Sequence, residues 1–306
     1  MRVAIVAVGE LARYFIDELI NQGHEVTTVS RSHKDYLDKF NVTQCVSDYS
    51  ASSLQEILHG CDAVVCTIRG GVSNYTTVHR AILEACQESP TCKRFIPSVW
   101  AGNVEEFPDE PLEWADEFQS TLSALREQQG VSWSAVCPGW YADYVIPPRR
   151  RYLSDIGDMW PQNYMDKVFT LYGKGSQIVN FTSAKDTARA TIMLLGHDRH
   201  EWENYTYLSG DQVSWKELSE IIQQRDAAYT VKHKSMASSI RQYVAAKSEN
   251  SVDAAAIFEL WGHSEAMSFP LEKVMRHREK FFRGMKFRSI VELADEAAAA
   301  GAAGIV

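Results

Sequence analysis

The sequence lacks any apolar run near the roughly 20 residues that a membrane-spanning helix needs. A soluble, cytoplasmic chain without a membrane partner is therefore expected. Its six cysteines, Cys45, Cys61, Cys66, Cys86, Cys92 and Cys137, include no CxxC pair and no metal-ligand spacing. That argues against a zinc ribbon and against a disulfide scaffold, and suggests thiols of a reducing compartment. Basic charge is also short: 31 Lys and Arg stand against 40 Asp and Glu, a net charge of −9. A nucleic-acid binder would show a basic face, so nucleic acid is not expected as a partner. His197 and His200 flank Asp198 without a third ligand, and no metal is expected. The opening MRVAIVAVGE has no small-residue cleavage site and runs at once into acidic residues. It reads as a buried strand rather than a secretory leader.

The chain has 306 residues, of which 45% are apolar. That allows one large or two small domains, because single cores stop growing at roughly 250–300 residues. Strand-like runs fall at 3–8, 25–30, 42–46, 63–68, 94–97 and 132–137, and helical periodicity at 10–21, 53–59, 74–87 and 112–128. Strands alternating with helices imply βαβ units and a parallel sheet, and continuous apolar strands fit a sheet covered on both faces. The second half is less regular. It carries aromatic and proline-rich loops over 140–161, strands near 168–171 and 205–208, and helices at 185–195 and from Trp215 to about Leu293. The last residues, AAAAGAAGIV, read as a frayed or helical tail. The expected fold is α/β, with a Rossmann-like parallel sheet over 1–150 and a smaller, mostly helical substrate region over 151–306. Part of 180–210 should pack back on the sheet.

After the first strand, Ala7-Val8-Gly9-Glu10-Leu11-Ala12 occupies the place of a GxGxxG fingerprint. That motif needs a tight turn, a close approach of backbone to pyrophosphate, and close helix packing. Gly9 serves the second need and Ala12 is an accepted form of the third. Ala7 replaces the first glycine, at a cost of about 1 kcal/mol or more if the turn needs φ > 0. The second strand ends in Ser30-Arg31-Ser32-His33-Lys34 instead of the acid that would hold a ribose 2′-hydroxyl. Arg31 suits a 2′-phosphate, with Ser30, Ser32 and Lys34 adding donors, so any dinucleotide should be NADP(H). Asp48, after the third strand, is either an adenine-side acceptor or an ordinary turn residue.

These features resemble the NmrA-like, isoflavone-reductase-like group of atypical short-chain dehydrogenases, and its fungal branch in particular. The resemblance rests on Val3 to Lys34, Arg94-Phe95-Ile96-Pro97-Ser98, Gly139-Trp140 with Asp143-Tyr144, Phe181-Thr182 with Asp186, and His277 to Gly284. It implies a Rossmann domain, NADP(H) with Ser98 beside it, and a small aromatic, polyketide- or alkaloid-like substrate in specialised metabolism. A monomer or homodimer is expected. The sequence departs from the reductases of the group at two places. Their Ser-Glu-Phe-Gly is here Ser98-Val99-Trp100-Ala101, and their catalytic lysine falls on or near Phe118. No lysine lies between Arg94 and Arg126.

A reductase must deliver a proton to a developing alkoxide or carbanion. Loss of that donor favours acid–base catalysis without net redox: isomerisation, cyclisation, or rearrangement of an epoxide or cation. Cofactor would then be weak, structural or lost. Trp100, Phe118 and Trp140 would line an aromatic wall, where a buried acid could be held neutral. Asp143, Asp116 and Glu117 are candidate acids, and Tyr141 and Tyr144 candidate proton donors. The alternatives are an NADPH-dependent reductase with a displaced acid and a dinucleotide-sensing regulator. Arg149-Arg150-Arg151 could hold an acidic substrate or phosphate, or pair with Asp155 and Asp158.

Overall fold

In the computed structural model, which describes residues 1–301 and 304–306, the chain builds a parallel sheet first. The first strands and helices are β1 (Arg2–Val6), α1 (Glu10–Asn21), β2 (Glu25–Ser30), β3 (Val42–Val46), α2 (Ala51–Leu58) and β4 (Ala63–Cys66). Next come α3 (Tyr75–Glu88), β5 (Arg94–Ile96), α4 (Ala115–Glu127), β6 (Ser132–Trp133) and β7 (Ala135–Cys137). The sheet order is β3-β2-β1-β4-β5-β6, all parallel. Val3 to Val6 and Ala63 to Cys66 are fully buried, as strands covered on both faces must be. The chain winds outward in both directions from β1. The crevice at the carboxyl ends of β1 and β4 is therefore the switch point where ligands of such sheets bind.

The remaining elements are β8 (Trp140–Tyr141), β9 (Gln162–Asn163), β10 (Val168–Tyr172), β11 (Ile178–Thr182), α5 (Ala184–Gly196), β12 (Tyr205–Tyr207) and β13 (Asp211–Ser214). After them come α6 (Trp215–Arg225), β14 (Thr230–Lys234), α7 (Met236–Ser248), α8 (Ala254–His263), α9 (Leu271–Phe281) and α10 (Ile290–Ala299). One face of the sheet packs on α1 and α5 through Phe15, Leu19, Ala188 and Leu195, and the other on α2, α3 and α4 through Leu54, Ile82 and Leu122. β12 pairs with β7, so residues from beyond 200 extend the first half's edge. β8 pairs with β11, which pairs with β13; β10 lies between β9 and β14.

Three local expectations change. The strand anticipated over 132–137 is split at the buried Ser134, because its two halves pair with different partners, β5 and β12. The helix anticipated from residue 112 starts at Ala115; Glu113 has φ 67° and its carboxylate pairs with Lys247 at 2.7 Å. The tail is helical to Ala299, and the described residues beyond it are docked rather than frayed. Arg150 Nη2 donates to the Ala300 carbonyl at 2.7 Å and Nη1 to Gly301, while Val306 N donates to the Arg150 carbonyl at 3.1 Å. A guanidinium thus satisfies carbonyls that the end of α10 leaves open.

Candidate functional site

The turn between β1 and α1 keeps the shape of a glycine turn without its first glycine. Ala7 sits at φ 68°, in the left-handed region. Its N–H donates to the Val29 carbonyl at 2.9 Å, and its carbonyl accepts from Thr67 Oγ1 at 2.8 Å. Neighbouring strands therefore hold the strained residue in place. Ala7→Gly is expected to stabilise the protein by about 0.5–1 kcal/mol, as relief of a left-handed alanine (about 1–2) outweighs glycine's extra unfolded-state freedom. Chemical denaturation would measure it, and a loss of stability would mean the turn is unstrained.

Gly9 precedes α1 with no side-chain cap, and a Cβ built on it meets nothing within 4 Å. The space at Gly9, where α1 begins, is thus open, as an anion cradle at a helix N-terminus requires. Ala12 is fully buried, giving α1 its close approach to the sheet. Glu10 is the one acid there, and Ser154 ties it down: Ser154 N donates to its Oε2 at 2.9 Å, and Ser154 Oγ to its Oε1. At the end of β2, Arg31 is exposed and in no ion pair among the described residues. Lys34 Nζ reaches Ser32 Oγ at 3.4 Å. Ser30 is buried and its hydroxyl donates to the Ser32 carbonyl at 2.7 Å, shaping the loop rather than offering a donor. These residues fit a dinucleotide phosphate.

Some expected site residues turn out to hold structure. Asp48 is an exposed turn residue whose Oδ1 accepts from Ser50 N at 2.9 Å, just before α2. Ser98 Oγ donates to the Ile68 carbonyl at 2.7 Å and joins the loops after β4 and β5. Asp116 is exposed on α4, where water screens it. Glu117 accepts from Gly71 N at 2.9 Å and pins the loop after β4. Asp143 is fully buried: its Oδ2 accepts from Ala184 N at 2.7 Å at the start of α5, and it lies beside Tyr14. Burial raises its pKa, while the bond from Ala184 pulls it back. Its Oδ2 braces the positive end of a helix, while its Oδ1 is buried without a partner.

The three aromatic residues expected to form one wall each pack against different aromatic neighbours. Trp100 donates to the Cys66 carbonyl at 3.0 Å and packs 5.2 Å from Phe15, over the carboxyl end of β4. Phe118 packs 5.9 Å from Tyr75 beside Gly70. Gly139, at φ 70° with the Asn180 carbonyl against its Cα, turns the chain into β8. Successive strand residues point to opposite faces. Trp140 enters a nest with Trp160 (5.2 Å), Phe258 (5.3 Å), Trp261 (5.8 Å) and Tyr144 (6.1 Å), while Tyr141 packs against the α1 side. The Tyr141 hydroxyl is buried without a partner. Tyr144 bridges both sides, with the Arg151 guanidinium 4.8 Å over its ring. Burial raises the Tyr144 pKa well above a phenol's usual value, and Arg151 and Arg69 oppose that. Trp160 comes from the aromatic loop over 140–161, whereas nothing local in the sequence points to Phe258 and Trp261, which α8 brings from far along the chain.

A family model described as NAD(P)H-binding matches residues 7–158. Oxidoreductase swnR of Metarhizium robertsii is 38% identical over 291 residues, covering 95% of this chain and 95% of that protein. The chain belongs to the NmrA-like, isoflavone-reductase-like family. Oxidoreductase swnR of Arthroderma benhamiae is 36% identical, covering 95% of this chain and 96% of that one. The fold of this NmrA-like chain also matches the leucoanthocyanidin reductase–NADPH complex from Vitis vinifera. There the TM-score is 0.76 at 16% identity, over 97% of this chain and all of that one. It is an NAD(P)H-binding, reductase-type member of the family. No helix among the described residues is long and apolar enough to cross a membrane.

Proposed function

We propose that this protein is an NADP(H)-dependent oxidoreductase for a small, flat aromatic substrate, with Tyr144 as proton source in place of lysine. The observation that carries this reading is the turn at Ala7. A non-glycine residue is held left-handed beside an open Gly9, and such strain persists where the backbone shape is used. The first-turn N–H groups of α1 would take the pyrophosphate, and Arg31 the 2′-phosphate. When bound, the dinucleotide supplies a hydride. The tryptophan nest excludes water and stacks the substrate ring. The Tyr144 hydroxyl has no hydrogen-bond partner among the described residues and is kept protonated by burial, ready to donate. The oxidoreductase names of relatives at 36–38% identity support this reading. The alternative without net redox rested on a missing donor, which Tyr144 would supply, and on acids such as Asp143, whose Oδ2 is taken by the start of α5.

Titration with NADPH and NADH, followed by nicotinamide fluorescence, tests the proposal. NADPH should bind saturably and about 10–100-fold more tightly than NADH, the scale of charge-assisted hydrogen bonds to one phosphate. Arg31→Ala should erase the difference. Equal affinities in the native protein would remove Arg31 from the site, and no binding of either would sink the function.

A further inference from the structure

Arg151 is the most unusual charge in the protein. It is 4% exposed and in no ion pair among the described residues. Asp155, which the sequence offered as a partner, instead accepts from Gly157 N at 3.1 Å. Arg151 Nη1 donates to the Leu153 and Ser154 carbonyls at 2.9 and 2.8 Å, and Nε donates to the Ile146 carbonyl at 3.3 Å. Nη2 is buried with no partner. Carbonyls align the fork but carry no net charge, so a buried cation remains uncompensated.

The groups around it share its need. The Tyr144 ring lies 4.8 Å from the guanidinium carbon, 5.7 Å from the Trp160 ring and 6.1 Å from that of Trp140. The Trp140 and Trp160 Nε1 atoms are buried without acceptors. An indole N–H donates only, and buried donors are almost always paired. Around one tyrosine, then, stand a cation with a free N–H and two indoles, each lacking an oxygen. Of the acids near Tyr144, Glu10 is held by Ser154, and Asp143 gives its Oδ2 to Ala184 N while its Oδ1 is buried without a partner. The unpartnered Glu259 Oε2 and His263 Nε2 belong to the far end of α8, beside Lys234 and Tyr172.

We infer that this nest binds a flat ring carrying a carboxylate, with Arg151 as its counter-charge and the indoles of Trp140 and Trp160 as further donors. The inference rests on the reading above only in taking the nest as the substrate end of the site. A carboxylate brings a charged acceptor for the unpartnered Nη2, while the ring stacks on the indoles. Arg69, exposed in the loop after β4, is a second cation near Tyr144.

Tryptophan fluorescence with benzoate and with benzamide, its uncharged counterpart of similar shape, tests this in the full chain with and without NADP⁺. Benzoate should quench saturably and bind at least about 10-fold more tightly, the scale of one charge-assisted bond. Arg151→Met should abolish the preference, and Arg151→Lys should keep part of it, with NADPH binding unchanged in both. Equal affinities, or no saturable response to benzoate, overturn the inference even where NADPH binds. A benzoate preference in a protein that fails to bind NADPH supports the anion site and sinks only the proposed function. If Arg151→Met does not fold, the contrast between the two ligands on the native protein decides.

Discussion

Replacing Tyr144 by Phe is expected to lower NADPH-dependent turnover of an aromatic ketone or quinone by about 10²–10⁴-fold, the usual worth of a positioned general acid. NADPH affinity should not change, because the dinucleotide cradle is built from the β1–α1 turn and the end of β2. The ring would remain: its packing against Trp140 and Trp160 and the guanidinium above it do not need the hydroxyl. Two companion variants separate chemistry from structure. Tyr141→Phe should have little effect on turnover, since that hydroxyl is buried on the opposite side of β8 and touches no partner. Asp143→Asn should cost stability more than rate, because its Oδ2 holds the first N–H of α5. Burial raises the Tyr144 pKa, so the donor stays protonated through neutral pH and should add no limb to the rate profile there. Wild-type turnover in Tyr144→Phe would move the proton source elsewhere.

The local parts of this site could be read in the sequence, and the assembled parts could not. The helix over 10–21 and the strands over 25–30 and 42–46 have the limits that periodicity and turn residues gave them. The left-handed strain at Ala7 follows from a motif with fixed geometry. The placement of Arg31 at the end of β2 follows from the strand that carries it. Asp143 is different. It follows Gly139-Trp140 on a loop at the ligand edge, which makes it look like a catalytic acid. What decides its role is Ala184, 41 residues on, and no periodicity reports that contact. Arg150 and Arg151 show the same limit: neighbours in one basic run, one docks the chain terminus and the other is buried over Tyr144. A run of like charges usually reads as a solvated loop, because sequence carries no sign of burial.

Asp186→Ala is expected to cost about 3–5 kcal/mol, the typical loss when one partner of a buried ion pair is removed. Asp186 is fully buried, and its Oδ2 accepts from Arg288 N at 2.9 Å and from Arg288 Nε at 3.1 Å. Arg288 is 9% exposed and also donates to Ser183 Oγ at 2.7 Å. Glu296, half exposed, stays within 2.8 Å of Nη1 in the variant, which should keep the loss toward the lower end of that range. A second change, Arg288→Met, should recover part of it, because the stranded charge and not the lost bond dominates the cost. Denaturant midpoints for the four members of this cycle measure the coupling; simple additivity would mean that the pair does not act as a unit. The pair also bears on the site. Ser183 and Asp186 begin α5, and Asp143 holds the same helix start through Ala184. Tyr144 follows Asp143 directly. Loosening α5 should therefore weaken benzoate binding at Arg151, and NADPH binding with it, because α5 packs on α1.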